Sequence, residues 1–489
     1  MENQNNQNAE SVKQVPKRIL TLLLASVSAG VVPRSGAPYI AIGRKDEIGA
    51  FLSDLEVVND GGGTMRFLIG RYGSGKSFLM QLIRGYALER DFLTADADLS
   101  PERRLYGSGG SGVATYRELV RNLASKASPD GGALSKVISR WIAGLQAELV
   151  AGGTLPEHPE FRTKLNAKIY DKLREEEELV GGFDFARVIS AFYESYLDGD
   201  DDKKSACLRW LRGEYTTKTE ARAALGFQVS TIICDDNWYD FVKLLASFAH
   251  TMGYRGLVVF IDECVNLYKI THRVSRENNY EMLLSMFNDT LQGRAAHLSL
   301  VFGGTPQFLE DQRRGLFSYE ALRSRLCDSR FTADGYKNLI GPVIRLRRLS
   351  DDELLALLKR ITLLYAQNYG VEPLVTDDEM VTFLGLCLSR AGADSMLTPR
   401  EMLRDYMTLL NILLQNPETK FDEVVGKSVT FAAQEGKEQA ASAGSSNRTA
   451  PETPAGCLVG TAPGMSDDSL NGTAPTSGRR IFTPDDLEF

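Results

Sequence analysis

Apolar residues along the chain fall into two patterns. Residues 65–69, 257–261 and 298–302 are short, nearly continuous apolar runs, the signature of strands buried on both faces. Elsewhere the apolar positions recur every three or four residues, which predicts helices over 77–89, 115–128, 135–149, 161–179, 185–197 and 237–251. Strands alternating with helices predict an α/β fold with a parallel sheet covered on both faces. About 185 residues separate the first two of these strands, far more than one crossover needs. Residues from roughly 100 to 230 are therefore expected to form a large, mostly helical insertion. The run Glu175-Glu176-Glu177-Glu178 inside it reads as a solvated helix face.

Both ends differ from this middle. Residues 1–15 are polar, rich in Asn and Gln, and expected to be disordered. Lys17-Arg18 and the apolar stretch 19–29 have the outline of a signal peptide, yet a polar stretch of 16 residues precedes them. With Thr21, Ser26 and Ser28 interrupting the run, an amphipathic helix ending at Gly30 fits better, with Pro33 beyond it. After the sheet, Ser350 to Glu353 and Thr376 to Glu379 carry capping-box patterns, and Pro399 follows Thr398 at a first-turn position. These three helix starts predict a small helical lid. The expected organisation is a P-loop ATPase domain over 16–342 and a lid over 343–433. A disordered linker over 434–478, rich in Ala, Ser, Gly, Thr and Pro, would then lead to a docking peptide or frayed end at 479–489.

Composition narrows the class. The 489 residues are 43% hydrophobic and 25% charged, as in ordinary soluble proteins. A net charge of −8 argues against a uniformly basic coat for nucleic acid, while leaving room for a local basic groove. Six scattered cysteines and four histidines suggest neither a zinc site nor a disulfide framework, and a cytoplasmic setting is expected. No apolar stretch reaches the length of a transmembrane helix, so no membrane role is expected.

The chemistry concentrates in two places. Gly70-Arg71-Tyr72-Gly73-Ser74-Gly75-Lys76-Ser77, followed by Phe78, matches GxxxxGK[ST] between a strand and a helix. Glycines let successive backbone N–H groups point at phosphate oxygens, and the helix N-terminus adds positive potential. Lys76 is expected on the β- and γ-phosphates of ATP, and Ser77 on Mg2+. The strand 257–261 ends in Asp262-Glu263: Asp262 would hold the magnesium through water, and Glu263 would orient and deprotonate the attacking water. Thr217-Lys218-Thr219-Glu220 resembles a guanine-reading motif only loosely, which favours ATP over GTP. Thr305, at the end of the strand 298–302, is either a γ-phosphate sensor or a turn residue. Arg323 and Arg325 are candidate arginine fingers toward a neighbouring subunit, or solvated helix arginines. Arg400 is the candidate lid contact to the γ-phosphate.

In this order the pieces resemble an AAA+ ATPase of the initiator/STAND-like branch. Ile42-Gly43-Arg44-Lys45-Asp46-Glu47-Ile48 is similar to the GRxxE box that precedes the P-loop there, so the resemblance places Gly43 and Arg44 beside the adenine. Longer stretches resemble the BREX-system ATP-binding domain family (BrxD-like): Trp210 to Glu214, Lys218 to Arg222, Asp262 to Lys269, Asn279-Tyr280-Glu281, Asn288-Asp289 with Gln292-Gly293, and Gly303 to Leu326. The resemblance implies bacterial defence against phage, in company with helicases, methylases or nucleases, and assembly into a homo-oligomer. No winged helix follows the lid, so any DNA contact is expected to be indirect. Three functions follow: an ATPase switch or motor in a defence complex, a slowly cycling nucleotide-dependent scaffold, or an initiator-like DNA loader. The loader would use Arg313, Arg314, Arg345, Arg347 and Arg348, which also fit a salt-bridged surface.

Overall fold

The computed structural model describes residues 15–107, 109–174, 176, 179–328, 338–389 and 398–426. The expected linker and docking peptide, and nearly all of the N-terminal segment, lie outside these residues. In chain order the elements are α1 (Lys17–Ser28), α2 (Lys45–Asn59), β1 (Gly63–Ile69), α3 (Lys76–Glu89), β2 (Leu93–Asp98), α4 (Ser111–Arg121), α5 (Leu134–Ala151) and α6 (Phe161–Lys172). They continue with α7 (Gly182–Asp198), α8 (Asp201–Leu211), α9 (Lys218–Leu225), α10 (Trp238–Thr251), β3 (Leu257–Asp262), α11 (Val265–Tyr268) and α12 (Arg273–Leu291). The last are β4 (Leu298–Gly304), α13 (Pro306–Glu310), α14 (Glu320–Leu326), β5 (Val343–Arg345), α15 (Asp351–Tyr369), α16 (Asp377–Ser389) and α17 (Pro399–Gln415).

The protein is α/β. Its five strands form one all-parallel sheet in the order β2-β3-β4-β1-β5. Side chains alternate between faces along each strand. Phe67, Val259, Ile261, Leu300 and Phe302 enter the core shared with α12 and the helices between β2 and β3. Leu68, Val258, Phe260, Val301 and Ile344 enter the opposite core with α2 and α3. Both faces are thus covered, which is why the strands read as continuous apolar runs.

Two strands carry no such run. β2, Leu-Thr-Ala-Asp-Ala-Asp, is an edge strand whose Asp96 is tolerated because Arg84 of α3 pairs with it at 3.1 Å. Its presence makes the strand at 257–262 third in the chain, and the helices α4–α10 lie between β2 and β3. β5 has three residues, which sit beyond position 342 yet pair with β1, so the sheet extends past the expected domain boundary.

The lid core joins both sides of the sheet in sequence. Leu20, Leu23, Leu24 and Val27 of α1 pack with α15, α16 and α17, so the first helix belongs to the lid core rather than to the sheet. The Glu175–178 run also differs from a solvated face. Glu176 is fully buried and accepts a 2.6 Å hydrogen bond from Thr251 Oγ1; the other three residues lie outside the described set.

Candidate nucleotide-binding site

The loop from Gly70 to Gly75 joins β1 to α3 at the carboxyl edge of the sheet. Gly73 and Gly75 have φ of 75° and 89°, a left-handed backbone that a side chain would strain. Gly70 must also lack a Cβ, which would stand 2.3 Å from Ser74 Oγ. Gly75 caps α3, so the first helical N–H groups of Lys76, Ser77 and Phe78 lack intrahelical acceptors and face an anion-binding position.

The Lys76 ammonium folds over the loop and donates to Gly70 O at 2.9 Å and Arg71 O at 3.1 Å. Burial lowers its pKa, and the nearby Asp262 and Glu263 oppose that shift. Ser77 Oγ donates to Asp262 Oδ2 at 2.7 Å, across 185 positions of sequence. Asp262 Oδ1 accepts the Glu263 N–H at 2.8 Å, in a turn where Glu263 takes a φ of 58°. The bond places Asp262 against β4, where a Cβ on Gly303 would lie 2.3 Å from Oδ1.

Sequence reasoning missed Asp98. It ends β2 directly opposite Asp262 in the sheet register. Asp98 is exposed at the strand end, yet partial desolvation of its carboxylate raises its pKa, and the charges of Asp262 and Glu263 add to the effect. Only knowledge that 93–98 is a strand beside β3 would have brought the three carboxylates together.

The remaining candidates are more dispersed. Thr305 is the N-cap of α13, its hydroxyl accepting from Phe308 N at 3.3 Å. Arg323 and Arg325 lie on α14, with Arg323 3.8 Å from Glu320 and Arg325 Nη1 donating to Ala321 O at 2.7 Å. Arg400 is exposed on α17, and its aliphatic stem lies against Gly30 at the end of α1. Tyr72 is 82% exposed at the tip of the loop, and Arg71 is exposed beside it. Phe78 is half-buried between the lid core and the α2–α3 core. Gly43, with φ of 69°, packs under Glu353 of the lid. Arg44 is buried, and its guanidinium reaches the carbonyls of Ser74 and Arg347.

A five-stranded parallel sheet, a glycine loop opening a helix, and an acidic strand end bonded to that helix define a P-loop α/β protein. The residues fit a nucleotide phosphate chain with a divalent cation: amide donors and an ammonium on one side, a hydroxyl and carboxylates on the other. The family model for the BREX system ATP-binding protein BrxC/D matches residues 15–429, and the chain belongs to that family. ATP binding and a place in the BREX defence system follow from this membership. No curated protein matches the chain. Among the described residues, no helix is long and apolar enough to cross a membrane.

Proposed function

We propose that this protein hydrolyses MgATP as an AAA+-type switch or motor within a BREX defence complex. The observation that carries the reading is the Ser77–Asp262 hydrogen bond, which joins the phosphate loop to the acidic strand end where a divalent cation would be shared. Ser77 and Asp262 would hold Mg2+, which supplies charge neutralisation at the phosphates. Lys76 would exchange its two carbonyl acceptors for phosphate oxygens. Glu263 has an exposed carboxylate one residue beyond the cation position, suited to accept a proton from water at Oε.

Arg323 and Arg325 are engaged on their own helix. Both are exposed, however, and the local contacts are at the surface, so their guanidiniums are open to a neighbouring copy, in keeping with an oligomer or partner for full activity. The same placement favours, as a second reading, a scaffold that turns over slowly alone and recruits a helicase, methylase or nuclease. Direct DNA loading draws less support, because Arg314, Arg345, Arg347 and Arg348 already have partners within the protein. Arg314 donates to Tyr268 O and Ile270 O, Arg345 pairs with Glu310 and Asp328, and Arg347 pairs with Glu353.

Steady-state ATP hydrolysis across protein concentrations, with and without duplex and single-stranded DNA, tests the proposal. Turnover that rises with concentration and is lost in Glu263→Gln and Lys76→Ala is the expected result. Tight ATP binding with no turnover under any of these conditions would replace the motor by the scaffold.

A further inference from the structure

The GR pair at positions 43–44 does more in this fold than line a nucleotide. We propose that Arg44 is a positioning residue that couples the seating of the helical lid to the order and donor strength of the phosphate loop. The inference deepens the nucleotide-binding reading and rests on it.

Arg44 is the N-cap residue of α2 and is only 4% exposed. Its Nη2 donates to Ser74 O at 3.0 Å and to Arg347 O at 2.9 Å, while Nη1 lies 3.3 Å from Glu47 Oε1. The Ser74 carbonyl belongs to the same peptide unit as the Gly75 N–H. A cation on that oxygen polarises the amide and strengthens its N–H as a donor toward phosphate. Arg44 therefore acts on the loop from behind, without needing to touch nucleotide.

The other end of the connection is the lid. The Arg347 guanidinium pairs with Glu353, Nη1 lying 2.7 Å from Oε2. Glu353 sits in the first turn of α15 and also accepts the Ser350 N–H at 2.8 Å in its capping box. It lies so close over Gly43 that a Cβ there would be 2.5 Å from Oε1. A second lid helix meets the loop at Gly73. Thr398, the N-cap of α17, places its methyl where a Cβ on Gly73 would be 2.2 Å away.

Residues 73–75 thus touch both Arg44 and a lid helix start, and Arg44 is tied through Arg347 to the other lid helix start. Lysine cannot replace this arrangement, since one ammonium lacks the planar fork that spans two carbonyls and a carboxylate. Lid seating and loop order then stabilise one another, and by linkage a ligand that orders the loop must also favour the seated lid.

The test uses the full chain and three variants: Glu353→Gln, Arg44→Lys and the double substitution. Amide hydrogen exchange on the nucleotide-free protein reads the coupling directly. Glu353→Gln is expected to raise exchange across both residues 70–78 and residues 398–403, with little further rise in the double variant. MgATP affinity, followed with a fluorescent ATP analogue, supplies the second reading. Glu353→Gln should weaken binding about 5-fold or more alone, and less than about 2-fold in the Arg44→Lys background. Unchanged exchange at 70–78 in Glu353→Gln, or the same fold loss in both backgrounds, would overturn the proposal. Failure of the unaltered chain to bind ATP would instead refute the nucleotide reading, and the exchange experiment would still decide the coupling.

Discussion

Replacing Gly303 with alanine probes the joint between the phosphate loop and the acidic strand end. A Cβ at this position would lie 2.3 Å from Asp262 Oδ1, 3.0 Å from its Cγ and 3.1 Å from Met80 Sδ. The flexible Met80 can move aside. Asp262 can do so only by giving up the hydrogen bonds from Ser77 Oγ and the Glu263 N–H, at 2.7 and 2.8 Å. A hydrogen bond to a charged group contributes about 1.5–3 kcal/mol. Both donors lie near solvent, where water substitutes for the lost acceptor, so the combined loss is about 2 kcal/mol. Alanine in a strand recovers about 0.5–1 kcal/mol relative to glycine. The net cost of about 1–2 kcal/mol corresponds to a Tm decrease of only about 1–2 °C in a chain of this length. The sharper readout is functional. With Asp262 turned away, the magnesium-dependent part of ATP affinity should fall about tenfold or more, about 1.4 kcal/mol. The assay compares Kd with Mg2+ and with EDTA for both proteins. If the ratio of the two constants is unchanged, Asp262 does not hold the cation as reasoned here.

Three further perturbations have worked directions. Asp54→Ala leaves Arg66, whose Nε and Nη2 lie 2.7 and 2.6 Å from the carboxylate, buried without its counter-charge. Breaking a buried pair costs about 3–5 kcal/mol, and the low end applies because Ile340 O still accepts from Arg66; urea unfolding should show the loss, and partial recovery in Asp54→Ala/Arg66→Met. Thr398→Ala removes a cap from α17 and should cost about 1 kcal/mol in the same assay. Asp98→Asn should stabilise the protein in EDTA at neutral pH. Partial desolvation and the neighbouring acids raise the pKa of Asp98, so the folded state holds this proton more tightly than the unfolded chain. Its contribution is therefore most favourable in acid and is lost as pH rises from the unfolded range through the raised value. Thermal melts should show the advantage of Asn shrinking as pH falls toward 4; a variant less stable than the parent at neutral pH contradicts the argument.

The sequence makes local chemistry legible and long-range chemistry obscure. Gly70 to Ser77 is readable because a loop, a cap and a helix start lie within eight consecutive positions. The starts of α15 and α17 are equally local, each a hydroxyl and a glutamate three residues apart. By contrast, β2 has only Leu93 and two alanines as apolar residues, and its Asp96 is compatible with a strand because Arg84 reaches it from another element. Glu176 belongs to a run that looks solvated, and only α10, 75 positions away at Thr251, shows why it is buried. Asp98 becomes part of the site through register with Asp262. Arg44 was visible as a motif residue, but nothing in a GR pair tells which way its guanidinium turns.

The lid's attachment follows from the same long-range contacts. α1 precedes the sheet and α15–α17 follow it, so the lid is built from both sides of the sequence that forms the sheet. Two chain segments, 29–44 and 346–350, therefore connect lid to sheet. A body joined by one flexible segment can swing in many directions; joined by two, it is confined to rotation about a line through both attachments. Arg44 Nη2 to Arg347 O stitches these two segments together at the level of the phosphate loop. Because the same guanidinium also holds Ser74 O, any shift between the two segments acts on the Ser74–Gly75 peptide through a single side chain.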